Sequence, residues 1–280
     1  MSIPYLKGYL VKPGAITTDG YVTFTDGTNA VTPNQQQCEA YGYTYNKDTG
    51  TCSTFTFNQG LGVNLINETN YIKGFNNSTE TGTNNTHIMG ENNTVKGSAR
   101  NNSIVGSNNQ INNGINNSTV IGTLGETTAS NSLVIGGNKG SDNLGERQSI
   151  QLMYGVQTTD GTVTNSYLNN ITDNYFVVPD NTILYFHADV VAVRVGGEGA
   201  GNVGDYKSWV ERGVVINESG TLSINRERDT IKGNGTTTGW QPTGAVSGRN
   251  FIITCKATNS MTVEWASNIT FTQIKTGVAL

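Results

Sequence analysis

Residues 84–122 read NNTHIMGENNTVKGSARNNSIVGSNNQINNGINNSTVIG and repeat a unit of about eight residues. Each unit opens with polar residues, usually a pair of asparagines, continues with one or two aliphatic residues and closes with glycine. The pattern extends from about residue 62 to residue 145, with closing glycines at Gly74, Gly82, Gly90, Gly97, Gly106, Gly114, Gly122 and Gly136. A fixed period of this kind indicates a repeat architecture.

Each unit predicts a short strand followed by a tight bend. Glycine and asparagine tolerate a positive φ, and an asparagine side chain can cap its own turn. Two units would then complete one coil of a parallel β-solenoid, whose strands pair with those of the next coil. The step from Gly122 to Gly136 is longer than the others, so we expect residues 125–130 to form a loop that leaves the coil.

Each predicted strand offers only one or two aliphatic side chains. One or two apolar side chains per strand cannot enclose a wide core. The coil must therefore be narrow or must share an apolar face with neighbouring chains. We therefore expect the chain to associate. The predicted residues of the coil core or of a shared trimer axis are Ile88, Val95, Ile104, Val105, Val120, Ile121, Val134 and Ile135.

Three of the units, NNSIVG, NNSTVIG and NSLVIG, resemble the head repeats of YadA-like trimeric autotransporter adhesins, and similar repeats occur in bacteriophage fibres. The resemblance implies a left-handed parallel β-roll in which three chains associate side by side. It also implies that the aliphatic residue before each glycine points into the roll or toward the trimer axis. The chain departs from the adhesins in lacking a recognisable secretion signal, coiled-coil stalk and barrel anchor, which favours the resemblance to phage fibres.

Two segments of different composition flank the repeats, so we predict three domains, 1–61, 62–145 and 146–280. The first contains short strand-like runs broken by turn signals at Asp26-Gly27 and at Gly50, which predicts hairpins. We expect this module to dock on the capsid or on the tail of a virion.

The last predicted domain contains six or more strand-like runs without a helical pattern. Such runs, separated by turns, predict an antiparallel β-sandwich of the jelly-roll kind. Their order resembles that in the C-terminal domains of phage fibre proteins. The predicted fold class is therefore all-β throughout: hairpin module, trimeric parallel β-roll shaft and β-sandwich.

Composition and charge exclude several kinds of partner. The chain has 280 residues and a net charge of -4, from 17 Lys and Arg against 21 Asp and Glu, so we expect no nucleic-acid partner. No apolar run is long enough for a membrane helix, and the first residues lack the apolar core of a secretory signal. We therefore expect no membrane contact, assembly in the host cytoplasm and a place in the virion.

The chain has 3 cysteines. Cys38 and Cys52 flank a segment whose two strand-like halves would bring them together if it folds back as a hairpin. Oxidation outside the cell would join the pair, whereas synthesis in a cytosol would first leave thiols, and the sequence leaves both states open. Cys255 alternates with apolar residues and is predicted to be a buried small hydrophobe.

Known catalytic and metal-binding motifs are absent from the sequence. The 2 histidines, His87 and His187, lie far apart in predicted strands; three copies of His87 could form an ion-binding ring, but a sheet position is the simpler role. A glycosidase needs only two acids about 5–9.5 Å apart, and the sequence cannot place such a pair. We predict no catalytic residue, no metal site and no cofactor, and hence a protein that is not an enzyme.

A candidate glycan contact lies near GNGTTTGWQPTGAVSG, residues 233–248, which we predict to be a flexible loop. Trp240 and Arg249 could form an aromatic and cationic platform there. The alternative is that Trp240 folds back onto the sandwich. Trp209 and Trp265 alternate with strand residues and are predicted to lie in the core.

Together these features predict a homotrimeric bacteriophage fibre, on head or tail, that presents its C-terminal domain for adhesion to host-surface polysaccharide. Three identical tips that bind together would gain avidity from their effective concentration. Two alternatives stay open. A bacterial trimeric surface adhesin would need a signal and an anchor, and a polysaccharide-degrading tailspike would need an acidic cleft.

Overall fold

The computed structural model describes residues 11–17, 20–54, 70–137 and 143–276. The fold is almost entirely β-structure, as predicted, with a β-solenoid of about four turns and a sandwich-like arrangement of sheets. The chain divides into two compact units, Met1–Asn70 and Tyr71–Leu280. The predicted boundary between residues 61 and 62 lies outside the described residues.

The described part of the first unit contains two small antiparallel sheets and one short helix. Strands β1 to β3 form one sheet, and β4 and β5 form a hairpin. Its elements are β1 Lys12–Ile16, β2 Val22–Thr25, β3 Ala30–Val31, α1 Gln35–Ala40, β4 Thr44–Asn46 and β5 Thr51–Ser53. The predicted turn residues Gly27 and Gly50 have positive φ values of 100° and 66°. The core is small, with Val11, Val22, Phe24, Cys38 and Cys52 buried together.

Helix α1 was not predicted from the sequence. Asn34 caps it, because its side chain accepts a hydrogen bond from the backbone N–H of Gln37 at 2.8 Å. The Gln37 side chain accepts one in return from the backbone N–H of Asn34 at 3.0 Å. This reciprocal pair is a capping box, which was a usable signal in the sequence.

The solenoid at the start of the second unit has two classes of parallel strands. The five-residue strands are β6 Tyr71–Phe75, β8 His87–Glu91, β10 Ser103–Ser107, β12 Thr119–Thr123 and β14 Leu133–Gly137. The two-residue strands are β7 Ser78–Thr79, β9 Thr94–Val95, β11 Gln110–Ile111 and β13 Glu126–Thr127. Equivalent residues of the first coils are 16 positions apart, as the period predicts.

The last coil is shorter than the others, and the prediction of a loop over residues 125–130 is wrong. Glu126 pairs with Gln110 in the ladder of short strands, so the segment stays in the coil. Thr119 pairs directly with Leu133, which closes this coil in 14 residues instead of 16.

Asparagine ladders join successive coils. Asn92, Asn101 and Asn108 all have positive φ, as the bend prediction requires. The interior asparagines, however, bond to the neighbouring coil and do not cap their own turn. The Asn109 side-chain amide donates to the side-chain oxygen of Asn93 at 3.1 Å and to the Gly122 carbonyl at 2.8 Å.

The closing glycines of the long strands are required by close contact between coils. Gly106 has a φ of 136°, and a Cβ atom there would overlap the carbonyl oxygen of Gly122 in the next coil. The same overlap would arise at Gly90 against Gly106. Only glycine fits where two backbones approach this closely.

The solenoid continues into the C-terminal part through one sheet, because β14 pairs with the antiparallel strand β15. The predicted boundary between residues 145 and 146 therefore falls inside the second compact unit. The remaining strands are β15 Arg147–Thr158, β16 Val163–Leu168, β17 Phe176–Val177, β18 Thr182–Gly196, β19 Tyr206–Glu218, β20 Thr221–Gly233, β21 Gln241–Ser247, β22 Asn250–Lys256 and β23 Thr262–Lys275.

The C-terminal part packs a small sheet of β16, β17, β21 and β22 against the long strands of the large sheet. Aromatic side chains from both layers meet in the core. Phe271 contacts Phe176 and Phe251 with ring centroids 4.9 and 5.1 Å apart. Trp209 and Trp265 stack at 5.5 Å and are buried, as predicted.

Candidate functional site

From β8 to β14, one face of the large sheet carries a row of apolar side chains along the solenoid. The central residue of each of these strands pairs in register with its equivalent in the next coil, whereas β6 has Lys73 at this position, paired with Met89. We call this row the outward ladder: Met89, Val105, Ile121 and Ile135. These residues are 51%, 44%, 42% and 49% exposed. An apolar row of this length on a regular surface is typical of an interaction site.

The eight predicted core residues separate into two groups. Five of them are completely buried inside the coil of the single chain: Ile88, Val95, Ile104, Val120 and Val134. Val105, Ile121 and Ile135 lie on the outward ladder instead. The alternation along a strand explains the split, because successive side chains point to opposite faces. Met89 and the buried Ile111 were missed, although they stand at the same phase of the repeat as Val105 and Val95.

The row of the outward ladder continues across the C-terminal strands. Ile135 pairs with Ser149, Ser149 with Thr272, and Thr272 with Tyr185. Tyr185 is 44% exposed. In the adjacent row Ile274, which is 49% exposed, pairs with Ile183. Exposed apolar residues thus recur on this face of the C-terminal part after two polar positions, Ser149 and Thr272.

A groove lies where β15 leaves the solenoid and pairs with β16. We call it the junction groove; its volume is about 460 Å³. The residues that line it are Asn131, Met153, Tyr154, Gly155, Val156, Asn169, Asn170, Glu264, Trp265 and Ala266. They come from the last coil, from β15, from the turn after β16 and from β23. Sequence reasoning missed this groove because its residues are distant in the chain.

Three asparagines of the junction groove adopt the same left-handed bend conformation as the asparagines of the repeats. Asn131, Asn169 and Asn170 have φ values of 55°, 57° and 57°. The Asn169 side-chain amide donates to the Ser130 carbonyl at 3.0 Å, which ties the turn after β16 to the last coil.

Beneath the groove, the Tyr154 side chain points into the core. Its hydroxyl donates to the Phe251 carbonyl at 3.1 Å and accepts from the Phe176 N–H at 2.8 Å. Burial raises the pKa of the Tyr154 phenol well above its usual range. The phenol is therefore a neutral structural group that supports the groove from below.

The predicted glycan platform of Trp240 and Arg249 is not formed. Trp240 is 1% exposed and packs on Trp265 with ring centroids 6.1 Å apart, so the alternative of a core residue is the correct one. Residues 241–247 form strand β21, so the prediction of a loop over 233–248 is wrong for this part. Trp240 precedes β21 and Arg249 follows it, so the two are separated by a strand of 7 residues, which spans about 23 Å at about 3.3 Å per residue. Arg249 instead pairs with Asp180 at 2.5 Å.

Most of the acids of the C-terminal part have structural partners. Asp205 is buried and accepts hydrogen bonds from the backbone N–H groups of Asn202 and Thr236. Glu211 is completely buried and pairs with Arg226 at 2.9 Å. Hydrogen bonds from Thr162 lower the pKa of the Asp160 carboxyl. These carboxylates hold loops and sheets together.

Two acids do lie together on the surface. Glu227 and Asp229 are two residues apart on β20, which is an edge strand of the large sheet. The Arg212 guanidinium on β19 bonds both carboxylates. The hydrogen bond with Glu227, followed by its charge, raises the pKa of Arg212. Residues at i and i+2 of a strand point to the same face of the sheet, and their Cα atoms are about 6.6 Å apart.

The two N-terminal cysteines are joined. Cys38 and Cys52 form a disulfide with Cα atoms 5.8 Å apart. The segment between them folds back through the hairpin of β4 and β5, as expected, with Cys52 in β5 and Cys38 in helix α1 before the hairpin. Cys255 is buried, and this burial raises the pKa of its thiol.

The histidines remain apart. His87 lies on an exposed strand position beside Tyr71, with ring centroids 5.9 Å apart. His187 lies on β18 next to Asp189, with the nitrogen and oxygen 3.2 Å apart. Within the described ranges, groups of His, Cys, Asp and Glu suited to a metal ion are absent. No helix in the described part of the chain is long and apolar enough to cross a membrane.

Comparison with known proteins gives weak likenesses. No protein family matches the chain, and no curated protein matches it. Among solved structures, it is similar to the tailspike of Acinetobacter baumannii phage AM24, with 7% identity and a TM-score of 0.27. The match covers 74% of this chain and 57% of that one.

A second similar structure is tailspike gp49 of Acinetobacter baumannii phage Fri1, a capsular polysaccharide depolymerase. It has 9% identity and a TM-score of 0.25, and the match covers 72% of this chain and 46% of that one. A third is the tailspike of Acinetobacter phage vB_ApiP_P1, with 9% identity, a TM-score of 0.22 and coverages of 74% and 47%. The chain thus spans about half the length of these proteins. At this level of similarity, these structures assign neither a residue role nor an activity to this chain.

One prediction must be corrected on the basis of these comparisons. The sequence was interpreted as that of a protein that is not an enzyme. One of the similar structures, however, is described as a depolymerase, which is an enzyme.

Proposed function

We propose that this chain is a homotrimeric fibre protein of a bacteriophage virion that binds host-surface polysaccharide. The outward ladder is the observation that carries the proposal. Its four aliphatic side chains are each about half exposed and stand in strict register along the solenoid. Apolar surface of this kind gains free energy when it is buried, at about 25 cal/mol per Å².

The partner that best fits the ladder is another copy of the same chain. A row with one apolar residue on each long strand from β8 to β14 matches an identical row, because both have the same spacing along the solenoid axis. Soluble oligomers are mostly closed and symmetric, and three ladders around one axis would form a continuous apolar seam. The repeats that carry the ladder resemble those of phage fibres and trimeric adhesins, which supports a trimer.

The N-terminal unit is proposed to dock on the capsid or on the tail. It is a separate compact unit with its own small core and a disulfide, which supports an independent role. Deleting residues 1–61 should abolish co-sedimentation with virions while leaving the trimer intact. Loss of the trimer would show instead that this unit takes part in assembly.

The experiment that tests the proposed function is co-sedimentation of the full chain with purified virions on a density gradient. A virion fibre co-migrates with the particles, and antibody labelling in electron micrographs assigns it to head or tail. Recovery from bacterial membranes without virions would favour the alternative of a bacterial surface adhesin.

Cleavage of the bound polysaccharide is a second candidate function, supported by Glu227 and Asp229. Their Cα atoms are about 6.6 Å apart along the strand, and both carboxylates bond the Arg212 guanidinium, so the two acids face the same side, as the acid pair of a glycosidase must. Release of reducing ends from purified host-surface polysaccharide measures cleavage. Cleavage that is lost in both Glu227→Gln and Asp229→Asn would identify a depolymerase, and a full-length chain that binds without releasing reducing ends would be an adhesin.

A further inference from the structure

We propose that the junction groove binds a neutral saccharide unit. This inference rests on the proposed function and assigns polysaccharide binding to a defined place. The volume of about 460 Å³ lies within the range of about 300–1,000 Å³ of small-molecule sites. Such a volume accommodates one or two sugar rings.

The amide chemistry of the lining matches that of sugar hydroxyls. Asn131, Asn169 and Asn170 are among the residues that line the groove. An amide offers both donors and an acceptor, and a hydroxyl likewise donates and accepts. The hydrogen bond from Asn169 to Ser130 holds one of these amides in place, so less ordering is needed when a ligand binds.

The charge of the lining favours a neutral sugar over an acidic one. Glu264 supplies a carboxylate, and the residues that line the groove include neither lysine, arginine nor histidine. The nearby Gln157 side-chain amide donates to Glu264 at 2.5 Å. A uronic acid or another anionic sugar would face this carboxylate without a cation to balance it.

The floor of the groove is formed by two small residues, and its wall is apolar. Gly155 on β15 pairs with Ala266 on β23, which leaves space above both strands. Met153 is 48% exposed and offers an apolar surface for the face of a sugar ring. A Cβ atom on Gly155 would make only ordinary contacts, at 3.4 Å to the Trp265 carbonyl and 3.9 Å to Asn170. A larger side chain at residue 155 would therefore fit and fill the groove.

The test is saturation-transfer NMR on the full chain with glucose, galactose, N-acetylglucosamine, N-acetylgalactosamine and glucuronic acid. We expect at least one of the four neutral sugars to give a signal. Gly155→Leu, which fills the groove, and Asn170→Ala, which removes an amide, should each weaken binding about tenfold. Arg249→Ala is the matched control, because Arg249 is exposed but lies outside the groove, and it should bind as the unmodified chain does.

Three results would overturn the inference: a signal from none of the neutral sugars, a signal from glucuronic acid alone, or binding that survives both groove variants. The light-scattering mass of Gly155→Leu should equal that of the unmodified chain. A changed mass would show that another copy occupies the groove, which also contradicts a sugar site. If the groove does not bind sugar, co-sedimentation with virions is unaffected. This outcome is therefore distinguishable from failure of the proposed function.

Discussion

Val105 lies directly beside Ile121 across the parallel strands β10 and β12, and both side chains face outward. They are 44% and 42% exposed, whereas their chain neighbours Ile104 and Val120 are completely buried in the coil. One strand thus serves two purposes, because its alternate residues fill the coil and form the outward ladder. This relationship allows the fold of the chain and its association to be tested separately.

Replacing Ile121 by aspartate should disrupt association. The change places a carboxylate in the middle of the outward ladder, where burial against another copy would cost several kcal/mol. We expect light scattering to show monomers or aggregate. Thr94→Asp is the control, because it adds the same charge on the short-strand side of the coil. A well-behaved trimer of the Ile121→Asp variant would remove Ile121 from the interface.

Truncation of the neighbouring residues Ile104 and Val105 should have different effects. Ile104→Ala opens a cavity in the completely buried column and should reduce the free energy of unfolding by about 2–5 kcal/mol. Val105→Ala should weaken association while changing the unfolding of the isolated chain much less. Denaturant unfolding, followed at several protein concentrations, measures both effects. If both variants lost the same free energy of unfolding, the division between buried core residues and the outward ladder would be contradicted.

Two glycines with positive φ should differ in their tolerance of alanine. Gly106→Ala introduces strain and also an overlap with the Gly122 carbonyl oxygen, so we expect a loss of more than about 4 kcal/mol. Gly114 has a φ of 73°, but a Cβ atom there would meet no neighbouring atom. Gly114→Ala should therefore reduce the free energy of unfolding by only about 1–2 kcal/mol. Thermal unfolding compares the two variants. Similar losses would show that the close contact between coils is unimportant.

Stability should fall at alkaline pH. Burial raises the pKa of both the Tyr154 phenol and the Cys255 thiol in the folded chain. Their protonated forms therefore stabilise the fold fully below the unfolded pKa values of about 8.5 for Cys and 10 for Tyr. Above those values each group lowers the free energy of unfolding by up to about 1.4 kcal/mol per pH unit. Cys255→Ala should reduce this slope between about pH 9 and 11. An unchanged slope would contradict the raised pKa of the Cys255 thiol.

Reduction of the disulfide should destabilise the N-terminal unit. Cys38 and Cys52 are separated by 14 residues, and a loop of this length is worth about 3 kcal/mol in the chain-entropy account. Cys38→Ser combined with Cys52→Ser should lower the unfolding temperature of this unit and leave the solenoid unchanged. Limited proteolysis with and without a reductant resolves the two units. Equal resistance under both conditions would show that the disulfide adds nothing.

The sequence predicts the solenoid well because glycine and asparagine are tied to local geometry. Gly106 and Asn108 occupy positive φ values that few other residues adopt, so their spacing reports the coil length. The split between Ile104 and Val105 follows from strand alternation alone. The sequence leaves Trp240 open between a loop platform and the core, because the glycines and threonines before it suggest a loop, whereas pairing of β21 with β22 makes the following segment a strand.

The junction groove could not be predicted in the same way. Asn131, Gly155, Asn170 and Glu264 come from four separate segments, and only the packing of the sheets brings them together. The continuous sheet from the solenoid into the C-terminal part has a similar origin. It depends on the pairing of β14 with β15, which no local pattern specifies.

The measurement that tests the central claim most directly is the mass of the full chain in solution by light scattering. A trimer built on the outward ladder has a mass of about 90 kDa, three times the chain mass of 29.9 kDa. A mass of about 30 kDa would mean that the outward ladder stays exposed in a monomer, which would contradict the proposed trimeric fibre.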